Sequence, residues 1–424
     1  MTKAGVPAEL RHPAAELRAG AAAPRSPQRL PWAVIAICGT AIAFDGYDLV
    51  VYGATLLSLR AEWGMSAAQA GMLGSLPLLG MLLGSMLAGA AADRWGRRRV
   101  FVGAVAWFSV FTVACALAAG PTAFAGLRLL AGLGLGGVLP VAAALTMESA
   151  PPGRANLAYV IMQSGYPAGG IAASLLALVQ LPAYGWRVMY AVAAAPLLVI
   201  VPLAFRCLPS GGAGRGESEA GGAASVRKLL SGGLRRHTLV FWGMSLASLL
   251  FVYGMNTWLP SLMVAAGHTL SSGLGFLAAF NAGAILGGLC GGWAADRWGS
   301  RRVVAVSFLC GAAAVGVLAG VADEGVMLSA VALAGYGAVG TQTLINGWVT
   351  RFYPDRVRAT GIGWSLGIGR FGGIAGPFAV GVIEQASGTA AAAFALFAAV
   401  ALGGAALSFL ARPARGDRHR VGNK

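Results

Sequence analysis

What most constrains this chain is a series of apolar runs, each about twenty residues long, that recur between residues 31 and 411. A helix of about that length crosses the ~30 Å hydrocarbon core of a bilayer. The runs are continuous rather than alternating, which argues against the strands of a transmembrane barrel. Splitting them at polar or turn-rich punctuation predicts twelve helices, at 31–58, 67–92, 99–119, 121–147, 155–181, 187–206, 238–262, 271–295, 302–321, 326–351, 358–385 and 388–411. Only 11% of the residues are charged, whereas a soluble domain carries about 25%, so lipid is the expected main solvent. A buried soluble helical core would need polar faces that these runs lack. The five cysteines suggest neither a disulfide framework nor a zinc site.

The distribution of Lys and Arg sets the orientation. With the N-terminus inside, 27 of the 31 fall in cytoplasmic tails and loops, and only Arg60 and Arg187 fall in outer loops. Arg128 and Arg370 lie inside spans. Both termini are therefore expected in the cytoplasm. The net charge of +16 is then a topology signal and needs no nucleic-acid partner. The expected organisation starts with a cytoplasmic tail over 1–30, read as retained rather than as a signal peptide, and a six-helix bundle over 31–206. A Gly/Ser-rich cytoplasmic linker over 207–237 leads to a second six-helix bundle over 238–411 and a cytoplasmic tail over 412–424.

The two halves repeat each other. "AGAAADRWGRRRV" at 88–100 returns as "GGWAADRWGSRRV" at 291–303, and Arg154–Ala155 returns as Arg358–Ala359. Six helices per half is an even number, so the halves share one orientation, as in transporters with a central site. The turns "GAAADRWGRR" and "GWAADRWGSR" resemble the signature loops of the major facilitator superfamily, and the resemblance covers essentially the whole chain. Within it, "DGYDLVVYG", "RLLAGLGLGGVLP", "VYGMNTWLPSLM" and "RATGIGWSLGIGRFGGIAGP" are similar to the aromatic acid:proton symporters. One departure is Val141, where that family usually has Asn after the fourth-helix proline. The resemblance implies an all-α fold of two pseudo-symmetric six-helix bundles in the cell inner membrane. Its expected partners are a small aromatic acid, protons and lipid.

Charges inside the spans are the candidate functional groups, because an ionised Asp near a bilayer centre costs about 2.5–3.5 kcal/mol unless it meets a partner or a watery cavity. Asp45 and Asp48 lie three residues apart on one helix, about 60° around the axis. Asp45 and Arg128 are predicted at nearly the same depth, so an ion pair between them beside the central cavity is expected. An acid whose solvation and neighbours change as a carrier switches faces can load a proton on one side and release it on the other. The competing reading is a pair of structural acids that hold helices together. Neither acid recurs in the second half, where "SLLFVYGMN" has leucines, so the repeat itself does not require them.

Arg370 falls near the midplane of the eleventh helix and aligns with Tyr166 of the first half. A planar guanidinium grips a carboxylate through two hydrogen bonds, which makes Arg370 the first candidate for a substrate anion. Tyr47, Tyr52, Tyr253, Asn256, Trp258, Gln342, Asn346, Trp364 and Phe371 are candidates to surround an aromatic ring. At the cytoplasmic helix ends, the resemblance to the superfamily's signature loops implies an inner gate held by Asp93 and Asp296, with Arg97 and Arg301 as counter-charges. Arg94, Gly96, Glu148 and Arg358 are further members of that network, and Gly89 is expected to permit close helix contact.

The expected function is proton-coupled import of a benzoate- or hydroxybenzoate-like acid by alternating access, with a monomer sufficient. An importer of another organic acid or a sugar, and a drug or metabolite exporter, are the alternatives. No cofactor, metal or enzymatic activity is expected: there is no nucleophile–base pairing or ligand cluster, and the four histidines all lie outside the spans.

Overall fold

The computed structural model describes residues 31–209, 227–231, 234–320 and 323–411. The expected tails and most of the expected linker lie outside the described residues. Twelve helices are long and apolar enough to cross a membrane. The first bundle contains α1 (Pro31–Trp63), α2 (Ala67–Trp95), α3 (Arg97–Cys115), α4 (Pro121–Ser149), α5 (Leu157–Tyr184) and α6 (Trp186–Cys207). The second contains α7 (Arg235–Ala265), α8 (Leu270–Trp298), α9 (Ser300–Leu318), α10 (Glu324–Phe352), α11 (Asp355–Ser387) and α12 (Ala390–Leu410). There is no strand among the described residues. α1 and α7 overrun their expected bounds, and α6 and α10 each contain one π turn, Pro196–Ile200 and Tyr336–Gly340.

Local chemistry sets the helix ends. Ser66 caps α2 in a reciprocal capping box with Gln69. Gly96 and Gly299 sit at φ 84° and 87° in the repeated turns, a left-handed region that a side chain would strain. Within the first bundle, α2 and α4 touch backbone to backbone. A Cβ on Gly80 would strike the Leu129 carbonyl oxygen, and one on Gly132 would strike that of Pro77. Small residues of this kind let membrane helices approach closely where lipid supplies no hydrophobic drive. Gly89, by contrast, faces open space, so it makes no such contact.

The two bundles meet where α1 packs on α7, α2 on α11 and α5 on α8. On the face that carries the α1–α2 turn the bundles are in close contact. A Cβ on Gly53 would strike the Asn256 carbonyl oxygen, and one on Gly71 would meet that of Pro377. The Ser75 hydroxyl donates to the Ile374 carbonyl at 2.6 Å, and the Ala68 amide donates to Gln385 Oε1 at 3.1 Å. The opposite face carries the two arginine-rich turns.

Candidate functional site

Between the bundles lies a cavity of about 140 Å³. It is lined from the first half by Asp45 (α1), Met81 (α2) and Gln163 and Tyr166 (α5), among others. Tyr253 (α7), Gln342, Thr343 and Asn346 (α10) and Arg370 (α11) line it from the second. Glycines bring these groups together. A Cβ on Gly46 would strike the Tyr166 carbonyl oxygen, so α1 lies against α5 and Asp45 comes beside Tyr166. Gly372 has no room against the Leu246 carbonyl oxygen and Gly373 none against the Tyr253 ring, which seats Arg370 next to α7.

Asp45 is 2% exposed, and its Oδ1 has no hydrogen-bond partner. Such a group is costly in a low-dielectric interior, which marks it as a candidate for function. Arg370 reaches across the bundle interface: its Nη1 donates to the Met81 carbonyl at 2.9 Å and to the Ser85 hydroxyl. On α10, Gln342 Nε2 donates to Asn346 Oδ1 at 3.0 Å.

The expected Asp45–Arg128 pair is not formed. Arg128, fully buried, donates from Nη1 to Asp48 Oδ2 at 2.7 Å and from Nη2 to the Asp48 carbonyl at 3.0 Å. The Thr112 hydroxyl completes the set by donating to Asp48 Oδ1 at 2.7 Å. Equal depth held no information about azimuth. Three residues turn the helix by 300°, and the remaining 60° with about 4.5 Å of rise points the two acids at different neighbours. Asp48 therefore meets α3 and α4, and Asp45 meets the cavity.

Of the expected substrate groups, Arg370, Gln342, Asn346 and Tyr253 line the cavity. Tyr47 instead donates to the Met189 carbonyl at 2.7 Å, and Tyr52 donates to that of Ala70 at 2.6 Å. Asn256 accepts from Asn281 at 3.1 Å, and Trp258, fully buried, donates to the Pro377 carbonyl at 2.8 Å. Trp364 is six residues from Arg370, hence about 120° around the helix; it is exposed and stacks on Trp242. Phe371 is exposed as well, and Val141 is buried inside the first bundle rather than against the cavity. The polar residues that sequence reasoning missed are Tyr159, Gln163, Tyr166 and Thr343 in the cavity lining, and Ser85 beside Arg370. A signal existed for one of them, since Tyr166 is the repeat partner of Arg370 and both line the cavity.

The charged turns pair differently from expectation. Arg97 meets Glu148 rather than Asp93, and Asp93 and Arg94 are exposed. Asp296 accepts from Arg351 at 2.6 Å, while Arg301 donates to the Phe409 carbonyl at 3.0 Å. Gly96 makes the turn between α2 and α3, and Arg358 lies in the first turn of α11.

A sequence profile described as Major Facilitator Superfamily matches residues 36–377 and 276–424. The chain belongs to the major facilitator superfamily. This superfamily member is 37% identical over 349 residues to a gentisate transporter of Corynebacterium glutamicum, a match covering 81% of this chain and 79% of that one. It is 33% identical over 386 residues to the benzoate transport protein of Acinetobacter baylyi, covering 82% and 83%. The 4-hydroxybenzoate transporter PcaK of Pseudomonas putida is 32% identical over 380 residues, covering 82% and 85%. Among solved structures, a D-xylose-proton symporter aligns with TM-score 0.77 over 89% of this chain and 97% of that one, at 15% identity, which shows the shared fold. The chain is thus a multi-pass membrane protein of a transporter family, placed among relatives named for aromatic acids.

Proposed function

We propose that this superfamily member imports a small aromatic carboxylate together with protons, by alternating access across the inner membrane. The observation that carries the reading is one small cavity flanked by a buried acid from one bundle and a guanidinium from the other, Asp45 and Arg370. A volume of about 140 Å³ suits a single ring with a carboxylate. It falls well below the ~300–1,000 Å³ of sites for drug-sized ligands, which disfavours the drug-exporter alternative. The names of the relatives supply the substrate class, and the cavity supplies groups that fit it.

In this mechanism the substrate carboxylate replaces Met81 and Ser85 as acceptor for Arg370, because hydrogen bonds to an ionised acceptor are roughly twice as strong as those to a neutral one. The ring rests against Tyr166 and Tyr253, where edge and offset contacts favour an aromatic partner. Asp45 carries the proton. Asp48 does not move one; it neutralises Arg128 throughout the cycle. The positive-inside count assigns the arginine-rich face to the cytoplasm, so the closed α1–α2 face is the outer one and the cavity stands on the inner path. The clasps Arg97–Glu148 and Asp296–Arg351 belong to the inner gate, with Asp93, Arg94, Gly96, Arg301 and Arg358 around them. One chain in its bilayer suffices, and no cofactor takes part.

The test is uptake of a labelled panel (benzoate, hydroxybenzoates, gentisate, a sugar and a dicarboxylate) into proteoliposomes with and without an inward proton gradient. Aromatic acids alone should accumulate, and only with the gradient. Accumulation of the sugar or dicarboxylate, or gradient-independent uptake, would refute the reading.

A further inference from the structure

The closed α1–α2 face carries a charged contact that the proposed mechanism has not used. Arg60, at the end of α1, donates from Nη1 to both carboxylate oxygens of Glu384 near the end of α11, at 2.9 and 3.2 Å. The two residues are 324 positions apart and belong to opposite bundles. Of the five ion pairs resolved between described side chains, this one alone joins the bundles; the other four each lie within one half. We infer that Arg60 and Glu384 form the latch of the α1–α2 face, an ion pair that must break each time the cavity opens to that side. The inference rests on the alternating-access reading above.

Three observations carry it. First, the bundles are in backbone contact on this face, at Gly53 against Asn256 and at Gly71 against Pro377, so opening toward it pulls those contacts apart. Arg60 on α1 and Glu384 on α11 each belong to one helix of these two contacts, on opposite bundles.

Second, the pair has the strength of a latch rather than of a girder. Its side chains keep 24% and 19% of their exposure, so water can replace each partner when the pair opens. An exposed pair biases an equilibrium by up to about fivefold. Asp48–Arg128, at 1% and 0%, has no such exit. Arg60 also lies over the Trp258 ring, 5.8 Å from its centroid, which gives the cation a second resting place at the interface.

Third, charge order runs in opposite senses on the two helices. α1 carries an acid at the cavity, Asp45, and a base at the latch, Arg60. α11 carries a base at the cavity, Arg370, and an acid at the latch, Glu384. The separations are fifteen and fourteen residues, about 22 and 21 Å along the axes. The same two stiff helices therefore bear the cavity groups and the latch groups at matched levels. A shift of either helix when Arg370 changes partner is carried to the latch end.

Thr257 on α7 reports on this interface: it is 5% exposed, and its methyl carbon lies 3.1 Å from where a Cβ on Gly74 of α2 would stand. The experiment places Thr257→Cys in a chain freed of its five native cysteines and measures labelling by a membrane-impermeant maleimide from outside the cell. Arg60→Gln and Glu384→Gln should each raise the labelling rate by about threefold to fivefold. The swap Arg60→Glu with Glu384→Arg should return it to the parental rate, and Arg60→Lys should leave it nearly unchanged. Equal labelling in parent and single variants, or a swap as reactive as the singles, would overturn the latch. Labelling does not require transport. A chain that carries no aromatic acid yet shows this pattern would sink the substrate reading and keep the latch.

Discussion

Replacing Asp48 by Asn tests the division of labour between the two acids. Arg128 is fully buried and, among the described residues, draws its counter-charge from Asp48 alone, through two hydrogen bonds to that residue. Removing one partner of a buried pair leaves an uncompensated charge and costs about 3–5 kcal/mol. For a bundle of this size that corresponds to a fall in Tm on the order of 10 °C. Asp45 makes no ion pair among the described residues, so Asp45→Asn should change Tm by no more than a few degrees. Asp48→Asn with Arg128→Gln should recover most of the loss, because no charge is then left alone. Thermal unfolding of the purified protein in detergent, arranged as a double-mutant cycle, reads the coupling directly. Uptake in proteoliposomes reads the other half: Asp45→Asn should abolish accumulation against a gradient while sparing substrate exchange. Additive effects of the Asp48 and Arg128 changes on Tm would refute the pairing. Normal accumulation by Asp45→Asn would refute its role as the proton carrier.

Arg370→Lys keeps the charge but loses the planar fork, so KM for the acid should rise about tenfold in initial-rate uptake assays, with a smaller effect on the maximal rate. Gly53→Ala places a methyl group against the Asn256 carbonyl and should hold the α1–α2 face apart. Overpacking of that kind costs about 1–3 kcal/mol, so Thr257→Cys labelling should increase about fivefold or more, whereas Gly275→Ala, which meets open space, should do nothing. One carboxylate, Asp45, lines the cavity, which predicts one proton per monoanion and electroneutral uptake. A potassium diffusion potential imposed with valinomycin should then leave the rate unchanged; acceleration by an inside-negative potential would show a second proton.

The spans were legible because a bilayer imposes one length and one composition on every crossing helix, and the duplication was legible because closely similar turns recur about half a chain apart. The cost of intramembrane charge also singled out Asp45, Asp48, Arg128 and Arg370. Partner choice was not legible. Residue spacing gives depth along a helix, but which neighbour a side chain meets depends on how each helix is rotated in the bundle. That rotation is set by backbone contacts such as Gly46 on Tyr166 and Gly372 on Leu246, between segments distant in sequence. Tyr52 illustrates the limit. It shares the face of Asp45, seven residues on, yet sits about 10 Å nearer the closed face and is held by the Ala70 carbonyl. Arg60 and Glu384, each unremarkable alone, gain meaning only when α1 and α11 are brought together.

The repeated turns show what duplication kept. Asp93, Arg97 and Glu148 correspond to Asp296, Ser300 and Arg351, all at an offset of 203 residues. In the first half the turn supplies the cation, Arg97, and the end of α4 supplies the anion, Glu148. In the second half the end of α10 supplies the cation, Arg351, which donates to Asp296 at 2.6 Å and to the Ser300 hydroxyl at 3.0 Å. In both halves the turn is clasped to the end of the fourth helix with the polarity reversed, at positions 97 and 148 in the first half and at 300 and 351 in the second, where Asp296 joins as acceptor. The matched feature is therefore the tie between the turn and the fourth helix of each half, and the sign of each charge is free provided its partner changes with it. Arg351→Glu alone should set two acids together at Asp296 and slow uptake. Adding Ser300→Arg rebuilds the arrangement of the first half and should restore the rate. Failure of that rescue in a properly folded protein would mean that Arg351 acts through something other than the clasp.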